Sequence, residues 1–82
     1  MLRIDYIPQF IKLISKIKNS DEQLRIKRQI KKIIENPEIG KPMRYARKGT
    51  RKVYLGSFRL SYAYLPEEYK IVFLAIYHKD NQ

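Results

Sequence analysis

Apolar positions along the chain follow two different rhythms. In the first half they recur at helical spacing: Phe10, Leu13, Ile14 and Ile17, then Leu24, Ile26, Ile30, Ile33 and Ile34. That pattern predicts two amphipathic helices. Pro8 suits the first turn of the earlier one, where its missing N–H costs nothing. Asn19 and Ser20 interrupt the rhythm, and Ser20-Asp21-Glu22-Gln23 fits a capping box with Ser20 as N-cap. The second helix carries Arg25, Arg28, Lys31 and Lys32 on its other side. It stops by Asn36-Pro37, because a residue before proline is pushed out of the helical region. A short connection makes the pair a helical hairpin.

The rhythm changes after Gly40. RKVYL (51–55), FRLSYAYL (58–65) and YKIVFLAIY (69–77) are short, aromatic and β-branched, which is strand character. LRIDY (2–6) reads as a first strand, and PMRYA (42–46) as a possible extra one. Gly56-Ser57 is a Gly-X link that favours a type II′ hairpin, and Pro66-Glu67-Glu68 makes the next turn. The order is β-α-α-β-β-β. Consecutive hairpins imply an antiparallel meander with the helix pair on one face, an α+β fold. No repeat, low-complexity tract or linker divides the chain, so residues 1–82 are expected to form one domain.

Charge changes the picture most. Eighteen Lys and Arg face eight Asp and Glu, a formal net of +10. Self-repulsion of that size works against folding, and a polyanionic partner is the natural inference. The positive charge is concentrated. From Ile39 to Pro66 there is no acidic residue, and Lys41, Arg44, Arg47, Lys48, Arg51, Lys52 and Arg59 alternate with Tyr45, Tyr54, Phe58, Tyr62 and Tyr64. Cations interleaved with rings suit RNA, where phosphates need charge and unstacked bases need flat partners. The absence of cysteine fits a reducing compartment. With no visible signal peptide and no long apolar run, a soluble cytoplasmic protein without membrane contact is expected.

Several chemistries are disfavoured. One His, no Cys and scattered carboxylates give no metal-ligand spacing. The three glycines stand apart at 40, 49 and 56, so there is no phosphate-cradling loop. Ser57 or Ser61 with His78 and Asp80 has no supporting elbow motif. Chemistry on phosphate without a cofactor remains. RNA carries its own nucleophile, the 2′-OH, and its cleavage needs a base, cations for the crowded phosphorus and an acid for the leaving oxygen. Lys, Arg, Tyr and one His supply all of these. Strand alternation sets Arg59 on one face with Ser61 and Ala63, and an arginine beside small residues leaves room for a ligand. The plainer alternatives are a solvated strand arginine and an ordinary surface histidine.

The segment GKPMRYARKGTRKVYLGSFRLSYAY, followed by IVFLAIYHKDNQ, resembles the RelE/ParE superfamily of type II toxins. The matching elements are Gly40-Lys41-Pro42-Met43, Arg51-Lys52-Val53-Tyr54, Gly56-Ser57-Phe58-Arg59 and the terminal pair His78-Lys79. The resemblance spans essentially the whole chain and rests on their order. It implies a small antiparallel sheet with two N-terminal helices on one face. For the RelE branch it implies an enzyme that cuts messenger RNA on the ribosome without cofactor and is silenced by a cognate antitoxin. By position, Arg59, His78, Lys79 and Lys52 are then the expected catalytic residues. Arg59 and Lys79 would hold the phosphate, His78 would protonate the leaving 5′-oxygen, and Lys52 would act as base or clamp. His78 and Lys79 are expected to face the same basic surface as Arg59. Arg44, Arg47, Lys48, Arg51 and Tyr54 are the expected RNA contacts, with Tyr54 stacking on a base. At +10 the free chain is expected to be monomeric. Two alternatives stay open: a ParE-like toxin that binds DNA gyrase and cuts nothing, and a non-catalytic basic module that binds nucleic acid or antitoxin.

Overall fold

The structure of the protein is a computed structural model that describes residues 2–44 and 48–81. Strand β1 (Arg3–Tyr6) leads into helices α1 (Pro8–Ser15) and α2 (Ser20–Glu35). Strands β2 (Lys41–Pro42), β3 (Thr50–Leu55), β4 (Phe58–Leu65) and β5 (Lys70–His78) follow. They form one sheet in the order β1-β5-β4-β3-β2. The pairs β2–β3, β3–β4 and β4–β5 are antiparallel, as the meander requires. The first strand departs from the all-antiparallel expectation. It runs parallel to β5, Arg3 opposite Lys70 through Tyr6 opposite Phe73. The helical hairpin carries the chain from β1 across the sheet to β2 at the opposite edge, and the meander then returns to set β5 beside β1.

Two local expectations shift. The N-cap of α2 is Asn19, not Ser20: its side chain accepts from the Glu22 N–H at 3.0 Å. Asn and Ser are near-equal caps, so the choice falls to backbone context. Gln23 donates instead to the Ile17 carbonyl at 2.7 Å, tying the helix to the inter-helix turn. Of residues 42–44 only Pro42 belongs to a strand, and Tyr45 and Ala46 lie outside the described residues.

Both helices cover one face of the sheet. Phe10, Ile26 and Ile33 meet Val53, Leu55, Leu60, Tyr62, Ile71, Phe73 and Ile76 in a single core. Each such side chain contributes about 1.5–3 kcal/mol when fully buried. Phe73 sits among Tyr6, Phe10 and Tyr62, with ring centroids 5.2, 5.5 and 6.1 Å away. Among the described residues no helix is long and apolar enough to cross a membrane.

Candidate nucleic-acid interface

The face of the sheet away from the helices is where the basic side chains meet. Gly56 takes a φ of 58°, and Ser57 stays at negative φ, as a type II′ turn demands. That turn sets Tyr54 opposite Arg59 and Lys52 opposite Ser61. Lys41 of β2 lies opposite Lys52. Opposed residues share a face, so Lys41, Lys52, Tyr54 and Arg59 converge on the open side. The Arg59 guanidinium carbon is 4.2 Å from the Tyr54 ring centroid, and the Nζ atoms of Lys52 and Lys41 are 5.5 and 5.7 Å from it. Tyr54 keeps 56% of its surface exposed, so the ring is available as well as surrounded.

Arg59 is held from its own turn. Its Nη1 donates to the Gly56 and Phe58 carbonyls, both at 3.0 Å. The described residues give no protein acceptor to its other N–H groups. Ion pairs among them are Arg3–Asp5, Lys70–Asp5 and His78–Asp80, and none involves Lys41, Lys52 or Arg59. Beside the cluster the floor is small: Ser61 and Ala63 on β4, with Ala75 across from Ser61 on β5.

The last strand corrects the sequence reading. Ser61 pairs with Ala75, but its neighbour Tyr62 pairs with Phe73, so Leu74 is an extra residue and β5 bulges there. A bulge of one residue reverses which side chains face which way. Ile71 and Phe73 face the helices before it, and Ile76 does so after it. Tyr77 is therefore the residue across from Arg59, and His78 lies across from Phe58. The His78 ring meets Phe58 edge-on at 5.7 Å, on the helix side. His78 and Arg59 do not share a face. The Nδ1 of His78 lies 3.3 Å from both the Asp80 N–H and its carboxylate. A neutral ring accepts from the N–H, and a protonated one pairs with the carboxylate.

Other expected residues separate by role. Arg51 points to the helix side, where its Nη1 donates to the carbonyls of Glu38 at 3.0 Å and Gly40 at 2.7 Å. It braces the segment entering β2, so only its neighbour Lys52 belongs to the open face. The Tyr62 hydroxyl completes that brace by accepting from the Gly40 N–H at 2.9 Å and donating to the Pro37 carbonyl at 2.7 Å. Burial raises the pKa of this phenol above the usual 10.0, with the Gly40 hydrogen bond and the Arg51 charge pulling the other way. Arg44 is exposed in the turn after β2. Lys48 is also exposed and lines a cleft with Glu38, Tyr64 and Glu67, at the far end of β3 from Tyr54. Arg47 lies outside the described residues. The exposed Lys79 donates its backbone N–H to the Ser57 carbonyl at 2.7 Å, closing the strand end onto the β3–β4 turn. Sequence reasoning left Tyr77 and Lys41 out of the site. The signal for Tyr77 was the placing of bulky Ile76, rather than Ala75, after Phe73.

Comparisons with known proteins agree with this architecture. A family model described as the ParE toxin of type II toxin-antitoxin system, parDE, matches residues 4–82. No curated protein matches the chain in sequence. The toxin fold of the intact E. coli RelBE toxin-antitoxin complex superposes with a TM-score of 0.78 at 19% identity, covering 93% of this chain and 94% of that one. The isolated E. coli RelE toxin gives 0.80 at 18% identity, with 95% and 84% covered. The RelBE2 toxin-antitoxin complex of Mycobacterium tuberculosis gives 0.75 at 21% identity, with 94% and 96% covered. At these identities the likeness is one of fold.

Proposed function

The chain belongs to the ParE toxin family of type II toxin-antitoxin systems, within the RelE/ParE superfamily, and from that premise we propose that it is an endoribonuclease. Its substrate is messenger RNA on the translating ribosome, which places its work in the cytoplasm, and a cognate antitoxin silences it. The observation that supports this reading is the open-face cluster, in which Arg59, Lys52 and Lys41 surround the exposed ring of Tyr54. Cations for a phosphate beside a ring for a base are the two things a single RNA strand offers to be recognised.

In the proposed reaction Lys52, in its uncharged form, takes the proton of the 2′-OH. The 2′-oxygen bonds to phosphorus as the bond to the 5′-oxygen breaks. Arg59, Lys41 and Lys79 balance the charge on the phosphate oxygens. The 5′-oxygen leaves with a proton from Tyr77, which shares a face with Arg59. The products are a 2′,3′-cyclic phosphate and a 5′-hydroxyl. Tyr54 stacks on a neighbouring base, and Arg44, Arg47 and Lys48 are assigned to phosphates farther along.

The test is induction of the protein and its Arg59→Ala form in growing cells, with the 5′ ends of messenger RNA mapped in each. Cuts within translated codons that vanish in the variant are the expected result. Growth arrest with intact messages would overturn it. One observation favours a second reading, a gyrase-binding toxin: the single histidine is turned to the helix side, held by Phe58 and Asp80. Inhibition of gyrase supercoiling by the purified protein, without RNA cleavage, would select that reading.

A further inference from the structure

Helix α2 carries a second basic surface outside the Arg59 cluster. Arg25, Arg28 and Lys32 are three and four residues apart, so they form one stripe, and all three are exposed. The helical rise sets Arg25 and Lys32 about 10 Å apart along the axis. With Leu24, Gln29 and Leu55 they line a cleft between α2 and the end of β3, where Asp21 is the one acid among the described residues. No ion pair among the described residues engages any of the three cations. A solvated helix face would look the same in isolation. Two contacts argue that this one is continuous with the site.

The first is the Gly56 turn. A Cβ placed on Gly56 would lie 3.0 Å from Nη1 of Arg25, while the Gly56 carbonyl accepts from Nη1 of Arg59 at 3.0 Å. One turn is thus flanked by a guanidinium from each side of the sheet. The second is Gln29, which lines both the α2 cleft and a groove formed with Ile39, Lys41, Lys52, Val53 and Tyr54. That groove crosses the edge of β3, which no described strand covers past Lys52, since β2 pairs with Arg51 and Lys52.

We propose that Arg25, Arg28 and Lys32 are the outer half of a single track, along which the RNA strand gripped at Arg59 continues round the β3 edge onto α2. The proposal rests on the RNA reading of the Arg59 cluster and extends it to several phosphates. Holding six cations in one path is costly unless a polyanion lies along it. The Tyr54 ring within the path fits alternating bases and phosphates better than an acidic peptide, which needs cations alone.

The test is fluorescence anisotropy with a long oligouridine and with a trinucleotide, over a salt series. The wild type is compared with R25Q/R28Q/K32Q, whose glutamines keep helix propensity, and with R59A. The triple variant should lose affinity for the long strand, with its log–log salt slope shallower by about two, roughly 0.7 for each lost phosphate contact. Trinucleotide binding should be unchanged in that variant and lost in R59A. An unchanged slope and affinity for the long strand in the triple variant, with R59A still impaired, would overturn the track and leave the RNA reading standing. Failure of the wild type to bind either RNA would remove both. If the triple variant loses binding to a polyglutamate peptide and not to RNA, the stripe is a protein dock and the track is overturned.

Discussion

Replacing Tyr62 by phenylalanine tests how the site's entry segment is held. The ring is fully buried, so the substitution keeps the packing and deletes one oxygen. That oxygen accepts the Gly40 N–H and donates to the Pro37 carbonyl. Gly40 is itself buried, so its N–H loses its partner without gaining water. An orphaned buried donor costs about 1–3 kcal/mol. In a domain of this size each kcal/mol moves the midpoint by about 4–8 °C, so thermal unfolding followed by circular dichroism should fall by about 4–24 °C. The pH dependence gives a second readout. Burial raises the folded phenol above its usual 10.0. Its donation to Pro37 reinforces this, since only the neutral form can donate. The unfolded chain therefore ionises first, and the contribution is complete below pH 10 and lost as the pH climbs through the folded value. The wild type should lose stability faster than Tyr62→Phe above pH 10. A variant within about half a kcal/mol of wild type, losing stability in parallel with it, would refute the brace.

Three further outcomes can be checked. Asn19→Ala removes the α2 cap and should cost about 1 kcal/mol by urea unfolding, while Ser20→Ala should cost less. Gly40→Ala would bring a methyl to 2.7 Å from the Tyr62 hydroxyl oxygen, and the strain should cost about 1–3 kcal/mol in the same assay. In a ribosome-programmed cleavage assay, Tyr77→Phe should slow cutting about 100-fold or more while His78→Ala leaves the rate within a few-fold, and the reverse order would return the proton donor to His78.

Much of this was legible along the chain. The β3, β4 and β5 boundaries fall within a residue of the apolar runs because alternation and turn chemistry are local signals. The position of Arg59 beside Ser61 and Ala63 follows from the same alternation. What was not legible depends on distant partners or on a broken period. A four-residue strand such as β1 does not announce whether its neighbour will run parallel. One extra residue at Leu74 exchanged the faces of Tyr77 and His78, and with them the identity of the β5 side chain that shares a face with Arg59. Arg51 and Lys52 are chemically alike, and only register separates the residue that braces Gly40 from the one that joins the open face.

The parallel pairing of β1 with β5 has a consequence in time. Arg3 is synthesised well ahead of its partner Lys70, which follows only after both helices and three further strands. Until then β1 has no neighbour, and the aromatic group around Phe73 lacks its centre. Long-range pairing of this kind comes late in folding. The nascent chain therefore stays without its finished sheet until β5 has been made, and the open face built on β3 and β4 waits for a strand translated after both of them.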